Sequence, residues 1–261
     1  MLLIALALAA SPAAAPEMSD EARFLDCVGK IDKNPDAAIE AANAWRLKAN
    51  SLLARQCLSM AYAARENWAA AATAFAQTAQ AAEAAQDPRA AGLWVQAGNA
   101  ALALGDMAAA RSHFDAAIIL GTLTGADAGE ARLDRARALV GTGDLKSART
   151  DLDAALGLVP EDPLAWLLSA ALARRMGDLA RAQNDIGEAA KRAPDDASVA
   201  LEAGNIAALA GRDDAARTAW EAAARLAPNS PVGAAATRAL SQFPPADTPA
   251  APPTPPAPPK P

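Results

Sequence analysis

The chain has 261 residues, of which 78 are alanine and only ten are aromatic (five Trp, four Phe and one Tyr). Few bulky side chains are left to fill a thick core, and a chain rich in the best helix former and poor in Val and Ile does not suit a sandwich, a barrel or a buried parallel sheet, so the expected class is all-helical. Twenty-four Lys plus Arg against thirty Asp plus Glu give a formal charge of -6, which favours solubility and counts against binding nucleic acid.

Met1 to Ala10 is uninterrupted apolar sequence, followed by Ser11-Pro12-Ala13-Ala14-Ala15, with no charge before Glu17. A membrane span needs about 20 apolar residues. Residues 1–15 therefore read as the apolar region and cleavage zone of an export signal that lacks the usual basic start, cut near Ala14. The alternative is an unprocessed, disordered or membrane-tethered start. Export would place the mature chain in the bacterial periplasm, or outside the cell, with no stable membrane insertion after processing. Phe24 to Ile31 and Pro35 to Leu47 read as two helices of an N-terminal cap spanning 18–49.

Between 50 and 243 a period is visible. Pro160, Pro194 and Pro228 are 34 residues apart, and Gly143, Gly177 and Gly211 repeat at the same interval. Ala148, Ala182 and Ala216 form a third column, Ala155, Ala189 and Ala223 a fourth, with the bulkier Leu152, Ile186 and Trp220 between them. Each unit reads as a helix, a Gly-Asp turn, a second helix and a proline-marked turn. A small residue suits a close crossing of antiparallel helices, and the larger residue four positions on fills the space where the pair opens. Proline sits at the hand-over because it tolerates a first helical turn but breaks an interior one.

An earlier unit fits this register with Trp94, Gly98, Gly105, Ala110, Phe114 and Ala117. From Gly105 to Gly143 is 38 residues, and the four extra are assigned to a longer loop at Gly121 to Gly125. A more degenerate unit carries Tyr62, Trp68, Ala71 and Phe75, with Glu66-Asn67 replacing Gly-Asp and a second helix running past Gln80. Pro231 to Phe243 reads as a closing helix. Ten of the eighteen residues from Pro244 to Pro261 are proline, so 244–261 reads as a disordered, polyproline-like tail, either a spacer or a docking element.

These columns resemble the tetratricopeptide repeat, with about five repeats over residues 50 to 230. The resemblance matches the first-helix aromatic to Trp94 and Trp166, and the small packing residue to Gly98, Ala170 and Gly204. Arg132 and Ala200 depart from the aromatic. The fold it implies is a right-handed α-solenoid of antiparallel helix pairs.

Cys27 and Cys57 are the only cysteines and fall on the first and third expected helices. In an oxidising compartment such a pair suggests one disulfide stapling the cap to the first repeat; the alternative is two buried reduced thiols. His113, the only histidine, has no second His or Cys nearby and reads as an outward or half-exposed side chain rather than a base or ligand. No serine-hydrolase elbow, zinc-protease helix, phosphate loop or dinucleotide fingerprint occurs. No enzyme activity, cofactor or metal is therefore expected.

The resemblance further implies that first helices line a concave groove. Carried onto this sequence, the positions free to face a ligand are Val95, Asn99 and Leu102; Leu133 and Arg137; Leu167, Arg174 and Arg175; and Leu201, Asn205 and Leu209. Arg174-Arg175 is the strongest cationic spot. Asn99 and Asn205 fall where a carboxylate-clamp asparagine would occur, but Val95 and Leu201 stand where its lysine would precede them. The function implied is a protein-protein interaction scaffold or adaptor that holds a partner's peptide or helix in the groove. A self-associating structural component of the envelope and an accessory factor to an envelope enzyme are the alternatives.

Overall fold

A computed structural model describes residues 18–49 and 51–243. The segments read above as export signal and proline-rich tail lie outside the described residues. Thirteen helices and no strands occur among those described. Two N-terminal helices, α1 (Asp20–Ile31) and α2 (Pro35–Ala49), precede five antiparallel pairs: α3 (Leu52–Ala64) with α4 (Trp68–Ala84), α5 (Ala90–Leu104) with α6 (Met107–Ile119), α7 (Gly125–Thr142) with α8 (Leu145–Leu158), α9 (Pro163–Arg175) with α10 (Leu179–Arg192), and α11 (Ala197–Leu209) with α12 (Asp213–Leu226). Helix α13 (Pro231–Gln242) closes the stack. Each helix packs on the next in sequence, and α5, α7, α9, α11 and α13 also touch in succession, so the odd-numbered helices form the tighter row of a solenoid.

The turns have a local cause. Gly105 and Gly143 sit at φ 84° and 86°, a left-handed conformation that glycine adopts without a Cβ clash, and so end the first helix of each pair. The aspartate that follows starts the second: Asp106, Asp144 and Asp178 accept from the backbone N–H of Ala109, Ser147 and Arg181. Asp162 and Asp196 cap α9 and α11 in the same way. In the first pair Glu66 takes φ 56° and Asn67 supplies the cap to Ala70, so Glu-Asn does the work of Gly-Asp there.

Two expectations are corrected. The four extra residues before Gly143 do not lengthen a loop. They form one more turn at the start of α7, which has 18 residues against 13 in α9. Four residues are close to one helical turn, and Gly125-Ala126-Asp127-Ala128 brings alanines and a first-turn acid that suit a helix start. The bulky residue of the second helix also lies elsewhere than expected. A Cβ on Gly98 would stand 2.7 Å from the Phe114 ring, and one on Gly204 would overlap the Trp220 indole. The large side chain thus fills the notch at the close crossing itself. Ala136 with Leu152 and Ala170 with Ile186 keep the same 16-residue spacing and share core clusters.

At the N-terminal end, Cys27 of α1 and Cys57 of α3 form a disulfide with Cα atoms 6.3 Å apart, inside a cluster with Ala38, Ala42 and Leu58. It closes a loop of 30 residues. Reducing it should lower the stability of the N-terminal end by about 3 kcal/mol. Because solenoid repeats communicate chiefly with neighbours, hydrogen exchange should accelerate in α1 and α2 while α9 to α12 keep their protection; uniform acceleration would contradict this.

The crossing pairs give a second prediction. Gly98→Ala should overpack against Phe114 and cost about 1–3 kcal/mol, offset in part by helix propensity. Phe114→Leu should cost about 1–2 kcal/mol through the space it leaves. The double variant reproduces the Ala136 and Leu152 combination, so its loss in denaturant unfolding should fall well short of the sum; strict additivity would show that the two positions do not share one space.

Candidate functional site

The odd-helix row carries an apolar pocket of about 180 Å³ between α7 and α9, floored by Val140, Leu152, Leu168 and Leu172 and flanked by Arg137 and Arg175. Its origin is a column in the repeat. Asn99, Arg137, Ala171 and Asn205 are equivalent, separated by 38, 34 and 34 residues. The short side chain of Ala171 lines the pocket where the other members of its column are long. Arg175 is exposed and has no hydrogen bond or ion pair among the described residues. Arg137 donates to Asp134 at 2.9 Å, with half of its own side chain in solvent, a pairing that contributes little.

The other expected groove residues separate into three groups. Asn99 and Leu209 are exposed on their helices. Val95, Leu102, Leu167 and Leu201 are half-buried and pack against the core clusters of their repeats. Leu133, Arg174 and Asn205 serve internal packing. Leu133 is 3% exposed and belongs to the core, so it offers no surface to a ligand. The Arg174 guanidinium is held by Glu202 of α11, with Nε 2.5 Å from Oε1. Asn205 donates to the same carboxylate at 3.1 Å and accepts from the Trp220 indole at 3.1 Å. Glu202 is 8% exposed, and such a carboxylate has to be paired. Arg174 therefore bolts one repeat to the next, and the free cation of the Arg174-Arg175 pair is Arg175.

Besides Glu202, two further buried acids lie outside the expected set. Asp151 is held by Arg135, with Nε and Nη2 each 2.6 Å from a carboxylate oxygen, and that contact raises the Arg135 guanidinium above its ordinary value. Arg135 reaches Asp115 of α6 as well, at 2.9 Å. Arg132, which stands in place of the first-helix aromatic, adds a third contact to Asp151 at 3.5 Å. One repeat later Asp185 accepts from Ser169, from Arg181 at 3.2 Å and from Asn184 at 3.3 Å. Each acid sits one residue before the bulky crossing residue, and the side chain opposite, Arg135 or Ser169, is 16 residues earlier. The partners of Asp151 come from α7 and those of Asp185 from α9 and from α10 itself, so each acid is tied within its own helix pair, and the link to the preceding pair runs through the arginines, from Arg135 to Asp115 and from Arg181 to Asp153.

His113 occupies the same column. It is half-buried and stacks on Trp94 with ring centroids 5.5 Å apart, and burial lowers its pKa against a weaker opposing pull from Asp106. It borders a larger cleft of about 510 Å³ between α4 and α6, together with Gln77 and Gln80. That cleft belongs to the even helices. No group of three or more His, Cys, Asp or Glu side chains suited to a metal occurs among the described residues. No described helix is long and apolar enough to cross a membrane.

Comparison with known proteins gives the same repeat. One tetratricopeptide-repeat model matches residues 58–131 and 170–231, and a second matches 129–172. No curated protein matches the chain. Among solved structures, PilW, a widely conserved type IV pilus biogenesis factor, has a TM-score of 0.67 at 18% identity over 82% of this chain and 96% of its own. PilF of Pseudomonas aeruginosa has a TM-score of 0.66 at 15% identity over 84% and 97%. YrrB, described as a TPR protein with an unusual peptide-binding site, has a TM-score of 0.57 at 17% identity over 77% and 99%. At these identities the likeness to the three structures is one of fold. The repeat models run without a gap from residue 58 to residue 231, and the chain belongs to the tetratricopeptide-repeat family.

Proposed function

We propose that the protein is a non-enzymatic scaffold that docks a segment of a partner protein, a peptide or a helix, across its odd-helix face, with the α7–α9 pocket as the anchor point. The observation that supports this is the combination in one place of an apolar recess and two arginines, one of them without a partner among the described residues. An apolar anchor with a few convergent polar groups is what a docked side chain needs for affinity and orientation. The buried acids are consumed by structural pairing, which leaves them no role in chemistry. We place the mature protein in the periplasm on the strength of its N-terminal apolar segment and the disulfide between Cys27 and Cys57, a bond that persists in oxidising compartments.

Site-specific photocrosslinking in cells tests the docking face. A photoreactive residue in place of Leu164, exposed on the same stripe of α9 as Ala171 but outside the pocket, should give an adduct of defined mass, whereas the same residue in place of Thr150, exposed on α8, should not. Equal adducts at both positions, or none at 164, would contradict docking at this face. A paired measurement separates structure from binding at the adjacent arginines. Arg174→Ala leaves Glu202 without its main partner and should lower stability by about 1–3 kcal/mol, while Arg175→Ala should change the unfolding midpoint little.

A further inference from the structure

Resting on that docking reading, the chemistry of the pocket restricts what can enter it. An apolar cavity of about 150 Å³ is large enough for a benzene molecule, so a recess of about 180 Å³ has room for one leucine-sized or phenyl-sized side chain. Val140, Leu152, Leu168 and Leu172 offer it no hydrogen-bonding side chain. The charge lies at the rim and is divided between the walls, with Arg137 on α7 and Arg175 on α9. Among the described residues Asp134 is the one acid paired with either arginine, and with half of the Arg137 side chain in solvent that pairing competes weakly. Two cations on opposite walls call for two anions, one on each side of the anchor. A terminal carboxylate would supply only one.

We infer that the pocket between α7 and α9 receives an acidic segment of a partner protein in which a single apolar side chain, seated on Leu152 and Leu172, is flanked on both sides by Asp or Glu side chains that meet Arg137 and Arg175. The chain as a whole carries a charge of -6, so general attraction does not bring such a segment in. Screening at physiological salt confines the effect of distant charges to about 8 Å, and recognition rests on the two arginines.

The test is fluorescence anisotropy of the full chain with four labelled short peptides: one with a central leucine among glutamates, one with glutamines for the glutamates, one with serine for the leucine, and one whose only acid is its C-terminal carboxylate. The glutamate-leucine peptide should bind, and each of the other three should bind at least about tenfold more weakly. Arg137→Glu and Arg175→Glu should each weaken the first peptide about tenfold. Ala171→Phe, which fills the recess, should abolish its binding. Circular dichroism melting checks that the variants fold, and the exposed Arg175→Glu keeps the test decisive if Ala171→Phe does not. Equal binding of the glutamine peptide overturns the acidic specificity; if Ala171→Phe still abolishes that binding, docking at the pocket stands alone. Tighter binding of the C-terminal-acid peptide overturns the two-sided arrangement. Absence of binding by every peptide overturns the proposal, and the photocrosslink at position 164 then decides whether the docking face itself survives.

Discussion

Everything in this molecule depends on how closely two helices of a pair can approach. With ten aromatic residues in 261, the chain cannot separate its helices with large side chains on both sides. It sets one small residue on the first helix against one large residue on the second, 16 positions later, and the sizes compensate: glycine faces Phe114 and Trp220, while alanine accompanies Leu152 and Ile186. A glycine inside a helix costs about 0.5–1 kcal/mol relative to alanine. That cost is offset where a ring lies in the space a Cβ would occupy, because a buried aromatic contributes far more apolar area than a methyl group. The alanine-rich composition is thus a condition of the packing, and the chain spends its few large residues at the crossings and at the joints between repeats.

Joining one pair to the next is a separate problem, and polar side chains carry much of it. Trp94 donates to Glu83 of the preceding pair at 3.1 Å, and Trp166 to the carbonyl of Pro160 at 2.7 Å, with the Arg192 guanidinium over its ring at 5.1 Å. Where the aromatic is missing, Arg135 reaches back to Asp115 of the preceding pair, and Arg174 grips Glu202 of the following one. Taking a charge out of water is costly unless hydrogen bonds replace the lost solvation. Asp151, Asp185 and Glu202 each have two or more polar partners. Such networks hold register more than they add stability, since a sliding seam would strand a buried carboxylate.

The repeat itself was legible because its marks are local. Gly-Asp turns, proline hand-overs and alanine crossings follow from backbone sterics within one helix pair, and they recur at a period that alanine-rich sequence does not produce by chance in three columns at once. The extra turn of α7 was misplaced because Gly121 and Gly125 look like loop residues, whereas Gly125 opens a helix whose alanines decide its state. Arg174 and Asn205 were misassigned for a different reason. Their partner Glu202 lies in the next first helix, 28 residues beyond Arg174, and Arg181 meets Asp153 across the same 28-residue interval between second helices. Opposite charges at that spacing are the signal that marks a joint between repeats, and a search for exposed positions within single repeats passes over it. Ala171 was overlooked because its role is to be absent.

A repeat scaffold presents nearly the same surface several times over, so a particular binding point has to come from a break in the pattern. In the column of Asn99, Arg137, Ala171 and Asn205 the break is alanine at the third place, and in the column of Ala103, Gly141, Arg175 and Leu209 it is the arginine in that same repeat. One substitution opens a recess between α7 and α9, and the other sets beside it an arginine with no partner among the described residues. The neighbouring joint, between α9 and α11, is filled instead: Arg174, Glu202, Asn205 and Trp220 close it with a chain of hydrogen bonds. A seam sealed in that way has no room for a ligand, and a seam left open at Ala171 has no internal use for Arg175. The two seams thus differ in kind: one is closed by the polar side chains of its own repeats, and the other leaves an apolar recess beside an exposed arginine.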